Sequence, residues 1–322
     1  MKKILVIDFQ NLFIRSYVTN PSISKNGDPI GGIAGTFKSI QKVCRETKAD
    51  KIIVCHDGAG GSRKKKALNK NYKEGRNPLR LNRNIKALDE KQEHDNRIWQ
   101  QLRTFEYLNL CPIIQIMEEN VEADDIISYV CQYGAFKDDI KMILSSDKDF
   151  IQLLDDKTIL LRPVQEEILN KNRVLEEYKI HPKNFALARS IAGDKSDNLD
   201  GVRGVGLITL AKKFPLLAEN NSYCVDDILE KCQENIGEGK IFSSILDEKE
   251  KVYLNYQIMQ LYTPNMSLQA LSKCSYVLDN FVPEFNKTEF FRMSVLDGFA
   301  DAKLNDLFAV FNRIIHDYNS SD

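Results

Sequence analysis

The sequence has 322 residues, of which 43% are hydrophobic and 28% charged, with a formal net charge of −1. These values are typical of a globular protein with a sizeable core and room for two domains. No apolar run approaches the roughly 18 residues of a bilayer span, which is against a membrane protein. The seven cysteines form no Cys-x-x-Cys pair and the four histidines are scattered, which is against a disulfide framework or a zinc site. Asp8 interrupts the apolar start where a signal peptide would lie, so we expect a cytoplasmic protein with reduced thiols.

Apolar runs and helical spacings alternate through the first half of the chain. The runs predict strands, and apolar residues repeated every three to four positions predict helices. We expect strands at residues 3–8, 51–57, 112–117, 141–147 and 158–162, and helices at 31–47, 100–110 and 122–133. Strands that alternate with helices are typical of βαβ units. The sequence therefore predicts a three-layer α/β domain with a mostly parallel sheet.

Three of the predicted strands end in an aspartate, namely Asp8, Asp57 and Asp147, and Asp149 follows closely. A single aspartate in such a place is most often a turn or helix-cap residue. In a parallel sheet, however, the carboxyl ends of the strands share one edge, where ligands bind. Carboxylates gathered there without histidine or cysteine are typical ligands of Mg²⁺ or Mn²⁺. We therefore predict a divalent-metal site at this edge.

A further acidic run opens a predicted helix and contains Glu122, Asp124 and Asp125. On a helix, Glu122 and Asp125 would share a face and Asp124 would project to its side. The alternative explanation is that acidic residues favour the first turn of a helix through its dipole. Because the strand-end aspartates are expected nearby, we interpret the run as one wall of the metal site. Several negative charges so close together are stable only if a cation lies beside them.

Residues 62–86 form a strongly basic segment between a predicted strand and a predicted helix. Ten arginines and lysines stand against one acid, Glu74, which gives a local charge of +9 (ten minus one). A solvated loop is the simpler alternative, but a basic loop beside a metal edge suits a polyanion whose phosphates meet the metals. We therefore predict a long mobile arch in which Tyr72 stacks on a nucleobase.

From about residue 181 the pattern becomes helical, with helices predicted at 182–192, 207–214, 226–246, 249–262 and 285–317. The first two flank a glycine-rich run at residues 201–206. A dinucleotide-binding loop would need a preceding strand. A glycine hairpin between two helices instead offers backbone N–H groups and a helix N-terminus to a DNA phosphate.

These motifs together resemble those of the flap endonuclease/5′-nuclease family as far as about residue 215. The C-terminal third is most similar to phage replication nucleases of the ribonuclease H type. The matching positions are Asp8, Asn11 and Arg15; Asp57, Gly58 and Arg63; Tyr72, Lys73 and Arg76; residues 121–127 and 146–153; Gly193, Asp194, Ser196, Asp197 and Asn198; and residues 201–206. Three positions depart from the family pattern, where Phe9 replaces a glycine, Arg203 a proline and Ile208 a lysine.

The resemblance implies a PIN-like nuclease core over residues 1–180, with an arch at about 58–98, and a helical DNA-binding domain over residues 181–322. A helix–three-turn–helix element would occupy residues 183–214 or so. The resemblance also implies two divalent ions, Mg²⁺ or Mn²⁺. The first ion would be held by Asp8, Asp57, Glu122, Asp124 and Asp125, with Glu122 nearest the gap between the ions. The second would be held by Asp147, Asp149, Asp194 and Asp197.

The resemblance further assigns roles in catalysis and DNA binding. Lys73 and Arg76 would contact the scissile phosphate. The implied DNA-binding residues are Arg15, Arg63, Tyr72, Lys73, Arg76, Gly201, Gly204, Gly206 and Lys212. Backbone carbonyls of Val202 and Val205 would hold a K⁺ ion.

The implied function is a structure-specific 5′ nuclease, a 5′→3′ exonuclease or flap endonuclease, acting on DNA or RNA primers by two-metal catalysis. Two alternatives stay open, a PIN-like metal-dependent ribonuclease and a non-catalytic flap-DNA-binding protein. The expected partners are DNA with a 5′ end or flap and RNA primers on DNA. A single-strand-binding protein or a sliding clamp is a further expected partner, although the C-terminus lacks a clamp-binding motif. We expect a monomer, without membrane contact, in the cytoplasm, which for a phage protein is the host cytoplasm.

Overall fold

A computed structural model gives the fold and describes residues 1–75, 80–85, 88–163, 165–299 and 304–320. Six strands form its central sheet: β1 (Lys3–Asp8), β2 (Lys51–His56), β3 (Ile114–Met117), β4 (Ile140–Leu144), β5 (Thr158–Arg162) and β6 (Glu167–Leu169). Their spatial order is β3-β2-β1-β4-β5-β6. β6 pairs antiparallel with β5, whereas all the other neighbours pair in parallel. The predicted α/β class with a mostly parallel sheet is confirmed.

The sequence of β1 explains why this strand lies at the centre. Leu5 and Ile7 contribute to the hydrophobic core on one face of the sheet, and Ile4 and Val6 to the core on the other. All four side chains are fully buried. A continuous apolar run is typical of a strand that is covered by helices on both faces. Each side chain of this size stabilises the fold by about 2 kcal/mol, which fixes Asp8 at the sheet edge.

Six helices belong to the first part of the chain: α1 (Phe9–Thr19), α2 (Gly31–Thr47), α3 (Arg63–Leu68), α4 (Glu90–Asn109), α5 (Ala123–Gln132) and α6 (Lys171–Tyr178). α1, α2 and α4 cover the Leu5 face, and α5 covers the opposite face. Both α1 and α5 begin at the carboxyl edge of the sheet. Their first residues are therefore placed beside the ends of β1 and β2.

The remaining helices are α7 (Phe185–Ala192), α8 (Leu207–Lys213), α9 (Val225–Glu234), α10 (Lys240–Asp247), α11 (Lys249–Met259), α12 (Leu268–Asn280), α13 (Lys287–Leu296) and α14 (Leu304–Asn319). A small hairpin of β7 (Gly193–Asp194) and β8 (Leu199–Asp200) lies between α7 and α8. α7 to α12 share the core of the Ile4 face, whereas α13 and α14 pack on the Leu5 face beside α2. The boundary near residue 180 stays a prediction.

Two long predicted helices are wrong because a glycine interrupts each of them. The helix predicted at 226–246 is divided into α9 and α10, and Gly239, with φ of 155°, precedes α10. The helix predicted at 285–317 is divided into α13 and α14, and Gly298, with φ of 67°, follows α13. A residue with positive φ cannot continue a right-handed helix, and glycine takes this conformation at no steric cost.

Other elements were not predicted. α1 was missed although Phe9, Phe13 and Tyr17 have a helical spacing and are buried. α4 begins at Glu90 rather than at residue 100, because its first turns are polar and are specified by a capping box between Asp89 and Gln92 instead of by apolar periodicity. α6, α12 and the antiparallel strand β6 were also missed. Within the described ranges, no helix is both long and apolar enough to cross a bilayer.

Candidate active site

The predicted carboxylates gather at the carboxyl edge of the sheet, although not all as strand ends. Asp8 is the last residue of β1, and Asp57 follows β2 directly. Asp147 does not end a strand, since β4 stops at Leu144. We name Asp8, Asp57 and Asp124 the first cluster, and Asp149, Asp194 and Asp197 the second cluster. Asp147 lies between them.

Asp8 is held by neutral hydrogen-bond donors. Its Oδ1 accepts a bond of 3.1 Å from the backbone N–H of Asn11, as the N-cap of α1, and its Oδ2 accepts one of 3.0 Å from Oγ of Ser145. Burial raises the pKa of Asp8 to about 7, and the nearby charges of Asp147 and Asp57 add to the rise. The carboxylate is therefore fixed in place but lacks a balancing positive charge.

Asp57 and Asp124 complete the first cluster at the start of α5. Oδ1 of Asp57 accepts a hydrogen bond of 2.9 Å from the backbone N–H of Ala123, the first residue of α5. Burial raises the pKa of Asp124 well above its usual range, and Asp147 and Glu122 raise it further, against the opposing charges of lysines. Asp124 thus faces Asp147 and couples the two clusters electrostatically.

Glu122 differs from the aspartates because two lysines neutralise it. Nζ of Lys65 lies 2.6 Å from its Oε2 and Nζ of Lys73 lies 2.8 Å from its Oε1. These cations lower the pKa of Glu122 in spite of its burial. Lys65 is itself buried. The sequence placed it in a basic run but offered no signal to distinguish it from Lys64 and Lys66.

Asp125 turns away from the first cluster. Its Oδ1 accepts a hydrogen bond of 2.7 Å from the backbone N–H of Asn265, in the segment before α12. Burial raises its pKa, which the charges of Lys65 and Lys64 lower in part. The sequence predicted that Asp124 and Asp125 act together, but in the structure only Asp124 faces Asp147.

The second cluster brings together three carboxylates from separate segments. Single oxygen atoms of Asp149, Asp194 and Asp197 all lie within 4.8 Å of one another. Asp149 opens a 3₁₀ turn (Asp149–Leu153), Asp194 ends β7, and Asp197 lies in the β7–β8 turn. Burial raises the pKa of Asp149 to about 7, and the charge of Asp147 adds to the rise.

Arg189 of α7 neutralises part of the second cluster. Its Nη2 lies 2.8 Å from Oδ1 of Asp149 and 2.5 Å from Oδ2 of Asp194. Burial raises the pKa of Asp194, but the guanidinium of Arg189 and the hydrogen bonds from Ser196 outweigh it, so the pKa lies below its usual range. Arg189 was not predicted as a site residue, because it is a single arginine in an apolar helical segment. The one local signal is its position five residues before Asp194.

The base of the arch docks on the second cluster. The backbone N–H of Lys73 donates a hydrogen bond of 2.9 Å to the carbonyl oxygen of Asp197, and Nδ2 of Asn198 donates one of 2.9 Å to the carbonyl oxygen of Asn71. The φ of Lys73 is 59°, in the left-handed region. The segment is therefore held against the helical part of the chain. The prediction that residues 62–86 form only a long mobile loop is wrong at this point.

Tyr72 does not present its ring to a nucleobase. It is 2% exposed and packs with Leu199, Ile258 and Met259 in a small hydrophobic cluster. The ammonium groups of Lys65 and Lys73 lie 5.8 and 5.0 Å from the centre of the ring. In this conformation the ring is not available for the predicted stacking, which stays a prediction, and it lies instead against the two lysines that pair with Glu122.

The other predicted DNA contacts are spread around this edge. Nη2 of Arg15 donates a hydrogen bond of 2.9 Å to the carbonyl oxygen of Pro163, just beyond β5, and Nη1 of Arg63 donates one of 3.3 Å to Oδ1 of Asn120. Arg76 lies outside the described residues. Lys212 is exposed in the last turn of α8.

The glycine hairpin is built as a tight bridge between α7 and α8. A Cβ on Gly201 would lie 2.2 Å from backbone atoms of Ala192, and Gly204 has a φ of 78°. The backbone N–H of Val202 donates to the carbonyl of Ile191 at 2.8 Å, and that of Val205 to the carbonyl of Val202 at 3.0 Å. Gly206 precedes α8, so it leaves the helix N-terminus accessible to an approaching phosphate.

The structure shows the surroundings of two residues that depart from the family pattern. Phe9, in place of a glycine, is buried and stacks on Phe13, with His56 and Phe105 beside it. Ile208, in place of a lysine, is 75% exposed, so α8 presents an apolar side chain where a cation would contact phosphate.

Comparison with known proteins decides the class of the site. Residues 3–179, more than half of the chain, match the sequence profile of the 5′-3′ exonuclease N-terminal, resolvase-like domain. The chain belongs to the 5′-3′ exonuclease family. It is a nuclease of the 5′-3′ exonuclease type, and its second cluster offers carboxylates that could hold a metal ion. Membership in the family favours this reading over the ribonuclease and the non-catalytic alternatives.

Relatives of the family match most of the chain. The 5′-3′ exonuclease of Buchnera aphidicola subsp. Schizaphis graminum is 29% identical over 278 residues, which cover 81% of this chain and 86% of the relative. That of Aquifex aeolicus is 26% identical over 274 residues, 82% of this chain and 83% of the relative. The bacteriophage T5 flap endonuclease, solved as a complex with DNA and metal ions, shares the fold with a TM-score of 0.69 and 18% identity, over 86% of this chain and 98% of that chain.

Proposed function

We propose that this 5′-3′ exonuclease hydrolyses phosphodiesters at the 5′ ends and 5′ flaps of DNA, and of RNA primers on DNA, with two divalent ions. Mg²⁺ is the expected ion and Mn²⁺ its substitute. The observation that carries the proposal is the position of Lys73. Its side chain meets Glu122 beside the first cluster and its backbone meets Asp197 in the second. The basic arch and both clusters therefore form one site.

The residues present fit divalent ions of this kind. Both clusters offer only carboxylate oxygens, which are the ligands that hard divalent cations prefer. Burial and the charge of Asp147 raise the pKa values of Asp8 and Asp149, and a bound cation would stabilise both carboxylates in their charged form. Asp8, Asp57 and Asp124 would hold one ion, and Asp149, Asp194 and Asp197 the other, with Asp147 between them. Such ions would supply an activated water and charge stabilisation at the leaving oxygen.

Lys73 supplies the positive charge that would meet the scissile phosphate. In the DNA-free protein its ammonium is held by Glu122, and Lys65 holds the other oxygen of the same carboxylate. A substrate phosphate would compete with Glu122 for Lys73, while Lys65 would keep Glu122 paired. Placed in this way, Lys73 would offset the charge that develops on the phosphate in the transition state. We propose that Arg76 assists it.

The hairpin at residues 201–206 would hold the duplex. Its backbone N–H groups, the N-terminus of α8 and Lys212 would contact phosphates, without reading bases. The carbonyls of Val202 and Val205 would hold a K⁺ ion in this turn. We propose further that Arg15 and Arg63 contact the DNA. A monomer in the cytoplasm, recruited by a single-strand-binding protein or a sliding clamp, stays a prediction.

A substrate panel tests the proposal. Purified protein is incubated with 5′-flap DNA, duplex with a recessed 5′ end, single-stranded DNA and duplex with a 5′ RNA primer, in Mg²⁺ or in EDTA. We expect cleavage of the flap, duplex and primer substrates in Mg²⁺ only, with single strands cut more slowly because they cannot engage the hairpin. Intact flap and duplex DNA in Mg²⁺, with binding retained, would contradict the proposed function.

A further inference from the structure

The second cluster already contains a cation in the DNA-free protein. The side chain of Arg189 is 13% exposed, and its Nη2 bonds Asp149 and Asp194 at 2.8 and 2.5 Å. Oxygens of these two residues and of Asp197 lie within 4.8 Å of one another. The guanidinium therefore binds the same carboxylates that would ligate a divalent ion.

Both oxygens of Asp194 are engaged. Its Oδ2 bonds Arg189, and its Oδ1 accepts hydrogen bonds from the backbone N–H and the Oγ of Ser196 at 2.8 and 2.7 Å. A hydrogen bond between an ionised donor and a carboxylate is roughly twice as strong as a neutral one. To ligate an ion through Oδ2, Asp194 must first lose its bond to Arg189.

The first cluster has no cation bonded to its carboxylates. Asp8 accepts from the backbone of Asn11 and from Ser145, and Asp57 accepts from the backbone of Ala123, all neutral donors. The charges of Lys65 and Lys73 act on Asp124, but both ammonium groups are paired with Glu122. Among the residues that the structure describes, only the second cluster has an arginine or lysine side chain bonded directly to its carboxylates.

From this asymmetry we infer that Arg189 is a built-in placeholder for the second divalent ion, which enters the second cluster only by displacing the guanidinium. The inference rests on the proposed two-ion function. Arg189 acts here as a positioning residue, since it keeps the buried carboxylates paired until the ion arrives. A DNA phosphate offers the displaced guanidinium another anion, because the planar guanidinium can bind two phosphate oxygens at once. Substrate and the second ion would then bind cooperatively.

A titration of DNA-free protein with Mn²⁺, followed by electron paramagnetic resonance of the free ion, tests this inference without any activity measurement. We expect wild-type protein to bind a second ion at least about tenfold more weakly than the first, since two charged hydrogen bonds are lost and each costs at least that order. Arg189→Gln should tighten the second site by about tenfold, and Arg189→Lys should lie between the two. The matched control is Arg162→Gln, because Arg162 forms an equally buried ion pair with Glu167, 3.0 Å long, on β5 and β6.

A structure of wild-type crystals soaked in Mn²⁺ decides the question even if Arg189→Gln does not fold. We expect anomalous scattering at the first cluster with Arg189 in place, and at the second cluster only where the guanidinium has left Asp149 and Asp194. An ion bound to both aspartates with Arg189 still bonded to them would overturn the inference, as would an unchanged second-site affinity in Arg189→Gln. If no ion binds at either cluster, the proposed function itself fails.

Discussion

The backbone N–H of Lys73 donates a hydrogen bond of 2.9 Å to the carbonyl oxygen of Asp197. This contact joins the base of the basic arch to the turn between β7 and β8, about 120 residues further along the chain. The side chain of the same lysine pairs with Glu122, at the start of α5. One residue thus contacts both Glu122, beside the first cluster, and Asp197 of the second cluster.

Removal of the Lys73 ammonium should affect the chemical step more than DNA binding. We expect Lys73→Ala to lower single-turnover cleavage of 5′-flap DNA by about a hundredfold or more, because the phosphate would lose a preorganised positive charge. Duplex affinity, measured by fluorescence anisotropy in Ca²⁺, should change by less than about threefold, as for loss of one phosphate contact among many. Lys70→Ala, at an exposed position of the same segment, is the control. Equal losses of cleavage rate and duplex affinity would contradict the catalytic role of Lys73.

Lys65 should stabilise the fold through Glu122. Both groups are buried and 2.6 Å apart, so Lys65→Met leaves a carboxylate with one cation instead of two. We expect the free energy of unfolding in urea to fall by about 1–3 kcal/mol. The control is Lys66→Met, at the exposed neighbouring position, which should leave the free energy of unfolding within about 0.5 kcal/mol of wild type. The double change Lys65→Met with Glu122→Gln should recover part of the loss, and no recovery would show that Lys65 acts through another contact.

Tyr72 should act as an anchor and not as a stacking platform. Because the ring packs on Leu199, Ile258 and Met259, we expect Tyr72→Ala to lower the free energy of unfolding by about 2–4 kcal/mol. Tyr276→Ala, which removes a ring that is 69% exposed, should leave stability within about 0.5 kcal/mol. A Tyr72→Ala variant with the wild-type free energy of unfolding but weaker binding of single-stranded flaps would show that the ring stacks on bases.

Proton uptake should stabilise the metal-free protein at low pH. The pKa values of Asp8 and Asp149 are raised to about 7, so the folded protein binds more protons than the unfolded chain between the ordinary aspartate pKa and about 7. The contribution of these groups to stability is therefore present at low pH and is lost as the pH rises through this window. In EDTA we expect the melting temperature to fall from about pH 5 to about pH 8.

Mg²⁺ should reverse this trend, because a bound cation stabilises the charged carboxylates and releases the protons. We expect the gain in melting temperature on adding Mg²⁺ to be larger at about pH 8 than at about pH 5. Asp8→Asn with Asp149→Asn, which removes both groups, should flatten the pH dependence in EDTA. A metal-free protein whose melting temperature rises through the same window would contradict the assigned pKa shifts.

The sequence was informative where one physical signal dominates. The apolar run of residues 3–8 predicted β1, and the helical periodicity of residues 31–47 predicted α2, each with the observed bounds. The acidic residues near the ends of the apolar runs predicted that carboxylates gather at the carboxyl edge of the sheet. These features are local, since period and charge can be read within a few positions.

The details of the acidic run were not predictable in the same way. The prediction treated Glu122 and Asp125 as neighbours on one helix face, but Glu122 precedes α5 with extended backbone angles of −79° and 152°. Glu122 is therefore the N-cap of α5 rather than a residue of its first turn, although its charge still acts on Asp125. The partners of Glu122 and Asp125 are Lys65 and Asn265. Such long-range pairings depend on how separate segments pack, which no local pattern records.

The single-turnover rate of 5′-flap cleavage in Mg²⁺ by Asp124→Asn, measured beside Asp125→Asn, tests the central claim most directly. The two changes are isosteric and adjacent, but Asp124 belongs to the first cluster whereas Asp125 bonds the backbone of Asn265. We expect a loss of about a thousandfold or more for Asp124→Asn and of no more than about tenfold for Asp125→Asn, with flap binding retained in both. Cleavage by Asp124→Asn at the wild-type rate would contradict the claim that this carboxylate edge is the active site.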